Sequence, residues 1–215
     1  MSRTRRSWLL ATLFVAGAAA GCGNCAGCPG TPPSPVTIPV KIRVYDNVEP
    51  MLEIGPAKTL LDATAHIIQD SDGPADTTCP VNFRIVNLDT FHIGNGVVAS
   101  WWDFQDVFGM PWSLVPPPES PDVQGVEPHV REVRVVKDIT WCGTESATLA
   151  GCAIGRRIVV KRHDAWVMEQ ILWAHEIGHT RTLSHRLDSW VAIMHPEILN
   201  DHFQLNGPEC GLYSR

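Results

Sequence analysis

The sequence predicts a single α+β domain with a sheet of about four or five strands and two long helices. Several segments alternate apolar and polar residues or are rich in β-branched residues, which is typical of strands. Two longer segments carry apolar residues at helical spacing. With 215 residues and 44% apolar composition, the chain is long enough for one sizeable core. We place this domain at residues 36–215.

The first elements follow from local patterns. Residues 40–45 alternate apolar and polar side chains, as a half-buried strand does. Apolar residues at helical spacing after a Gly-Pro pair predict a helix over residues 56–69. Further strands are predicted over residues 81–88, 130–141 and 157–161. The last of these directly precedes the second long helix.

The remaining elements include two helices and one irregular segment. The second long helix is predicted to begin at Asp164, whose carboxylate can cap a first turn. It is apolar on most sides, so we expect it to be buried. A short final helix is predicted because Asn206 and Glu209 resemble a capping box. Residues 101–104 and the proline-rich residues after them are expected to form a long irregular insertion anchored by its aromatic side chains.

The second long helix carries a cluster of metal-ligating residue types. His175 and His179 are four residues apart, so a helix places both imidazoles on one side, about one turn apart. Glu176 lies about 100° around the helix, beside the open side of a bound metal. His185 can join them if the chain turns back after the helix. Three protein ligands leave a fourth tetrahedral position for water, which is typical of catalytic zinc sites.

This segment resembles the metzincin clan of zinc metallopeptidases, whose signature is HExxHxxGxxH followed by a Met-turn. The Ala-Ile-Met-His-Pro stretch is similar to the Met-turn of matrix-metalloproteinase-type members. The resemblance implies a zincin fold with a mixed, twisted sheet and a short helix after the Met-turn. In the metzincin order an edge strand borders the substrate cleft, and the strand predicted over residues 157–161, directly before the second long helix, fits that place. It implies Zn²⁺ as the cofactor and hydrolysis of peptide bonds in proteins or peptides. It also implies three ligands, a general base and a methionine beneath the ligands: His175, His179 and His185; Glu176; and Met194.

One position departs from the signature. The family has Gly where this chain has Thr182, and a β-branched residue with positive φ costs about 1 to 3 kcal/mol. The turn before His185 is therefore either strained or built differently. The thermolysin-like clan instead takes its third ligand from a downstream Glu with an Asp four residues later. Glu197 with Asp201 has that spacing, so Glu197 is an alternative third ligand.

The N-terminus predicts export. Residues 1–21 combine a basic start, an apolar run and small residues, as a signal peptide does. The junction before Cys22 resembles a bacterial lipobox, which implies that Cys22 is lipidated. Residues 22–35 are rich in Gly and Pro and are expected to form an extended tether. We expect a cell-envelope lipoprotein held at the membrane by its lipid, or alternatively a secreted protein.

The other cysteines fit an oxidising compartment. Cys142 and Cys152 lie ten residues apart on either side of a small-residue loop and are a plausible disulfide. Cys79 with Cys210 would then be the remaining pair, although four cysteines allow three pairings.

Charge and motif together limit the function classes. The net charge is −6, and the sequence after the predicted signal peptide is more acidic still and has no basic cluster, which argues against a nucleic-acid partner. We expect a monomer that acts on protein or peptide substrates. The alternative class is a non-catalytic surface lipoprotein, used for binding or adhesion, whose zinc only stabilises the fold. Glu176 argues against this alternative. A structural zinc usually takes a fourth protein ligand, whereas this motif supplies a general base and leaves the fourth position for water.

Overall fold

The computed structural model describes residues 35–70, 79–92, 94–110, 129–146 and 149–215. The predicted signal peptide, Cys22, nearly all of the predicted tether and the proline-rich residues 111–118 lie outside this part of the chain. The described elements, in chain order, are β1 (Val36–Tyr45), α1 (Ile54–Gln69), β2 (Val81–Phe91), β3 (Val97–Val98), α2 (Trp101–Phe108), β4 (Arg131–Val136), β5 (Asp138–Ile139), β6 (Trp141–Cys142), β7 (Thr144–Glu145), β8 (Gly151–Ile154), β9 (Arg157–Lys161), α3 (Trp166–His179) and α4 (Gly207–Tyr213).

The main sheet has five strands in the order β2-β1-β4-β9-β8. Strand β1 pairs in parallel with β2 and β4, and β4 pairs in parallel with β9. Strand β8 is antiparallel to β9, so the sheet is mixed, as expected. The strand predicted at residues 157–161 is present as β9. The expectation that it is an edge strand was wrong, because β9 lies between β4 and β8. The edge on this side of the sheet is β8, a four-residue strand that begins with Gly and has little strand propensity of its own.

Both faces of the central strands are covered. All six residues of β4 are buried. Val133 and Val135 alternate with Glu132 and Arg134, so the two pairs lie on opposite faces of the sheet. The guanidinium carbon of Arg134 lies 5.2 Å from the ring centre of Phe108 in helix α2, which places α2 over the polar face. Helices α1 and α3 pack against each other and contact other strands of the sheet.

Helix α2 replaces the irregular segment predicted at residues 101–104. Ser100 caps it by accepting a hydrogen bond from the Asp103 amide at 3.2 Å, and Gly109 ends it with φ of 61°. Trp101 and Phe104 are buried against the core, as expected for anchoring aromatics. The strand predicted over residues 130–141 is also divided: β5 leaves the main sheet to pair with β3.

Helix α3 begins later than predicted. Its N-cap is Ala165, which has no side chain that can accept a hydrogen bond, and Asp164 does not cap it. Instead, the His163 ring accepts a hydrogen bond from the Ala165 amide at 3.0 Å. Within the described residues, no helix is both long and apolar enough to cross a membrane.

The C-terminal helix α4 is held at both ends of its first turn and by a disulfide. The Asn206 side chain accepts from the Glu209 amide, and the Glu209 carboxylate accepts from the Asn206 amide, each at 2.8 Å. This is the predicted capping box. Disulfides join Cys79 to Cys210 and Cys142 to Cys152. The first ties α4 to the start of β2, and the second ties β6 to the edge strand β8.

Candidate metal centre

Three histidine side chains converge at the end of helix α3. The Nε2 atom of His179 lies 3.0 Å from Nε2 of His175 and 3.1 Å from Nε2 of His185. His175 and His179 come from successive turns of the helix, and His185 comes from the loop after it. Among the described residues, these three form the group of side chains that could hold one metal ion.

Hydrogen bonds on the far side of two rings fix how the imidazoles are protonated. The Nδ1 atom of His175 lies 2.8 Å from the Ile193 carbonyl oxygen, and Nδ1 of His179 lies 2.8 Å from the Leu183 carbonyl oxygen. A carbonyl oxygen only accepts, so each Nδ1 donates its hydrogen. In the neutral ring, Nε2 then carries a lone pair. Two such lone pairs facing each other at 3.0 Å cannot bond to each other, and a cation between them resolves the arrangement.

The charge state of the rings fits this interpretation. Burial, followed by the neighbouring His179, lowers the pKa of His175 to about 3. Burial also lowers the pKa of His179 and of His185. All three rings are therefore neutral near pH 7. Three neutral imidazoles with one side left open are the donor set of catalytic zinc sites, so the residues support Zn²⁺ as the ion.

The turn that brings His185 back has a left-handed threonine. Thr182 has φ of 66°, a left-handed conformation that favours glycine. Its amide donates to the His179 carbonyl at 3.0 Å, and the Leu183 amide donates to the Gly178 carbonyl at 3.1 Å. These two bonds form a Schellman motif with Thr182 at C′. The turn is thus closed by a left-handed residue, with strain at Thr182, and His185 joins the group.

Met194 lies against helix α3 in a closely packed layer. It is fully buried, and the preceding residue, Ile193, is the one whose carbonyl accepts from His175. A Cβ at Gly178 would lie 2.5 Å from the Met194 sulfur and 2.6 Å from the Tyr213 hydroxyl oxygen. The Tyr213 hydroxyl donates to the Ala174 carbonyl at 2.7 Å. The sequence assigned no role to Tyr213, because its contact with helix α3 depends on how α4 docks.

Glu176 is buried beside the ligands. Its side chain is 5% exposed, and Oε2 has no hydrogen-bond partner in the described part of the chain. Burial raises the pKa of this carboxyl to about 8. A carboxyl with a pKa near neutrality can both accept and return a proton at physiological pH. The carboxylate lies directly against Gly151 of the edge strand β8.

A second pair of histidines lies close to the first group and was not assigned a role from the sequence. His195 and His202 are buried, with ring centres 5.3 Å apart. The exposed Trp190 ring lies 4.7 Å from that of His195. Burial lowers the pKa of His202. Neither ring belongs to the metal-binding group.

The alternative ligand Glu197 is not brought to this group. Glu197 is exposed, and its amide donates to Nδ1 of His195 at 3.2 Å. Residues 196–200 are not helical, whereas the thermolysin-like arrangement places this ligand on a second helix. The structure therefore favours His185 as the third ligand.

Comparisons with known proteins bear on the fold. No protein-family model matches the sequence, and no curated protein matches it. A zinc-dependent peptidase from Methanocorpusculum labreanum is similar in structure over 81% of this chain and 99% of its own, with 12% identity and a TM-score of 0.48. An archaemetzincin from Methanopyrus kandleri is similar over 82% of this chain and 93% of its own, with 14% identity and a TM-score of 0.51. The likeness to the archaemetzincin shows the fold in which this metal centre lies.

Proposed function

We propose that this protein is a zinc-dependent endopeptidase. The observation that carries the proposal is the convergence of three Nε2 atoms, two of them with their hydrogen placed on Nδ1 by main-chain carbonyls, beside a buried carboxyl. The structural likeness to an archaemetzincin supports the same fold. Zn²⁺ held there would act as a Lewis acid and lower the pKa of a water molecule from about 15.7 to about 7.

Glu176 supplies the proton transfer in this proposal. It would accept the proton of the attacking water and later pass it to the leaving amine. Burial raises the pKa of this carboxyl to about 8 in the metal-free chain, and Zn²⁺ beside it would lower that pKa and favour the ionised carboxylate that accepts a proton. The neutral histidines leave the charge of the ion undiminished, and the Nδ1 hydrogen bonds of His175 and His179 keep those two rings in place. No covalent intermediate with the protein is required.

The edge strand β8 offers a place for an extended substrate. Within the described residues it pairs with β9 on one side and has no strand on the other. An extended peptide can add to such an edge through main-chain hydrogen bonds. Since Gly151 of β8 touches Glu176, a peptide bound along this edge would pass beside the general base.

The experiment is a cleavage assay on the purified chain with a matched inactive variant. We expect one Zn²⁺ per chain, cleavage of a denatured protein mixture, and loss of cleavage when a chelator is added. Glu176→Gln should keep the zinc and lose activity by about 10²-fold or more. Wild-type protein that binds zinc but cleaves nothing, and a Gln variant identical to it, would favour the non-catalytic binding lipoprotein. Cleavage sites read by mass spectrometry would distinguish internal from terminal cleavage.

The location is a separate part of the proposal. The lipobox-like junction at Cys22 supports a lipid anchor on an exported protein. The two disulfides are consistent with an oxidising compartment. Metabolic labelling with a fatty-acid probe should mark the wild-type chain and not Cys22→Ser. An unlabelled wild-type chain in the culture medium would instead indicate a secreted protein.

A further inference from the structure

Gly151 has no room for a side chain. A Cβ built at this position would meet Oε1 of Glu176 and would lie 2.7 Å from both Cδ and Cγ of the same residue. Carbon atoms in good contact lie about 3.5 to 4.0 Å apart. The φ angle of Gly151 is not in the left-handed region, so the backbone conformation does not demand glycine. The requirement is steric, and the Glu176 side chain fills the space.

The strand that carries Gly151 is fixed. Gly151 pairs with Val160 of β9, and the Lys161 amide donates to the Ala150 carbonyl at 3.0 Å. Cys152, the next residue, is joined to Cys142 by a disulfide. Strand β9 is in turn paired with β4 in the interior of the sheet. Moving β8 away from Glu176 would therefore strain several main-chain contacts and a covalent link.

The helix that carries Glu176 is also fixed. Ile171, Ala174 and Ile177 on helix α3 are fully buried in the core. The rings of His175 and His179 are held by main-chain carbonyls. At the contact between helix and strand, the Glu176 side chain is consequently the group that is free to rotate. A methyl group at position 151 would turn the carboxyl out of its place.

We propose that Gly151 is a positioning residue for Glu176: a residue without a side chain on the edge strand sets where the base's carboxyl lies relative to the metal-binding histidines. This inference rests on the proposed function, in which Glu176 transfers protons. It explains why position 151 is glycine, although this residue is outside the metal-binding motif and lies 25 residues before Glu176 in sequence.

The test compares Gly151→Ala with Gly211→Ala in the full chain. Gly211 is a suitable control, because a Cβ there meets nothing within 4 Å and its φ is not left-handed. For Gly151→Ala we expect an unchanged zinc content, a KM within about twofold, and a kcat lowered about 10- to 100-fold, since a displacement near 1 Å can cost about 10²-fold. Gly211→Ala should match the wild type.

A readout independent of activity is the crystal structure of metal-free Gly151→Ala. The Glu176 carboxyl should be displaced while His175 and His179 keep their places. An unmoved carboxyl, with β8 shifted instead, would overturn the proposal. So would a kcat equal to that of the wild type when Glu176→Gln is inactive. If the wild type itself shows no chelator-sensitive cleavage, the proposed function fails, and the crystal structure alone decides whether Gly151 positions the carboxyl.

A double variant covers the case in which Gly151→Ala does not fold. Glu176→Asp shortens the side chain by one methylene and makes room for a methyl group at position 151. We expect Gly151→Ala/Glu176→Asp to fold and bind zinc, and adding Gly151→Ala to the Asp variant to cost less kcat than adding it to the wild type. A double variant that also fails to fold, or equal losses in the two backgrounds, would contradict the steric explanation.

Discussion

Replacing the left-handed threonine in the turn after helix α3 should stabilise the protein. Thr182 has φ of 66°, and a β-branched residue there costs about 1 to 3 kcal/mol. Among the described residues, its exposed hydroxyl donates only to the adjacent Arg181 carbonyl, at 2.6 Å, so little is lost with the side chain. Glycine adds unfolded-state entropy worth about 0.4 to 1 kcal/mol. For Thr182→Gly we therefore expect a net gain of about 0.5 to 2 kcal/mol in the free energy of unfolding.

The assay is equilibrium unfolding in denaturant and by heat, on metal-free and zinc-loaded protein. For a chain of this size the gain corresponds to a Tm increase of about 1 to 8 °C. Thr182→Ala is the matched control, because it removes the branched side chain but keeps the Cβ that is unfavourable in a left-handed residue. The free energy of unfolding of Thr182→Ala should rise by less than half of the increase expected for Thr182→Gly. Equal stability of the Ala and Gly variants, or a Gly variant below the wild type, would refute the strain argument.

Three further perturbations test other parts of the structure. Gly178→Ala should lower the free energy of unfolding by about 1 to 3 kcal/mol in denaturant titrations, because its methyl would overpack against the methionine layer, whereas Gly211→Ala should not. In metal-free protein, a carboxyl whose pKa is raised from 4.5 to about 8 at Glu176 loses stability as the pH rises through that range. The free energy of unfolding of Glu176→Gln should therefore rise relative to that of the wild type by about 4 to 5 kcal/mol between pH 4.5 and 8. If the two proteins lose or gain stability in parallel over this pH range, the argument is wrong. Replacing Cys79 and Cys210 by Ser should lower the free energy of unfolding by about 2 to 5 kcal/mol, which thermal unfolding of the variant and the wild type would measure.

Local sequence patterns predicted those parts of the fold that depend only on residues close together in the chain. The spacing of His175 and His179 places both on one face of a helix whatever that helix packs against. Asn206 and Glu209 form their capping box within four residues. Helix α2 could have been found in the same way, because Ser100 and Asp103 are a capping pair and Gly109 is a typical C-terminal residue of a helix.

Contacts between distant segments were not accessible from the sequence. The edge strand β8 is defined by pairing with β9, and its Gly151 and Ala153 have weak strand propensity. The role of Tyr213 depends on the docking of α4 under helix α3. The sequence did not show whether the turn keeps its left-handed residue at Thr182 or takes another shape. The answer depends on the free-energy cost of a left-handed threonine compared with the stabilisation gained by bringing the three imidazoles together. The structure shows that the threonine adopts the left-handed conformation.

The hydrogen bonds that orient His175 and His179 both end on main-chain carbonyls, those of Ile193 and Leu183. Because every residue type has such a carbonyl, exchange of the side chains at positions 183 and 193 leaves the two acceptors in place as long as the core stays filled. A change in the length of either segment would move them. The orientation of the two rings is therefore tolerant of substitution at positions 183 and 193 and sensitive to insertion or deletion in either segment, so a related chain could carry other apolar residues at both positions and still hold its two rings in the same orientation.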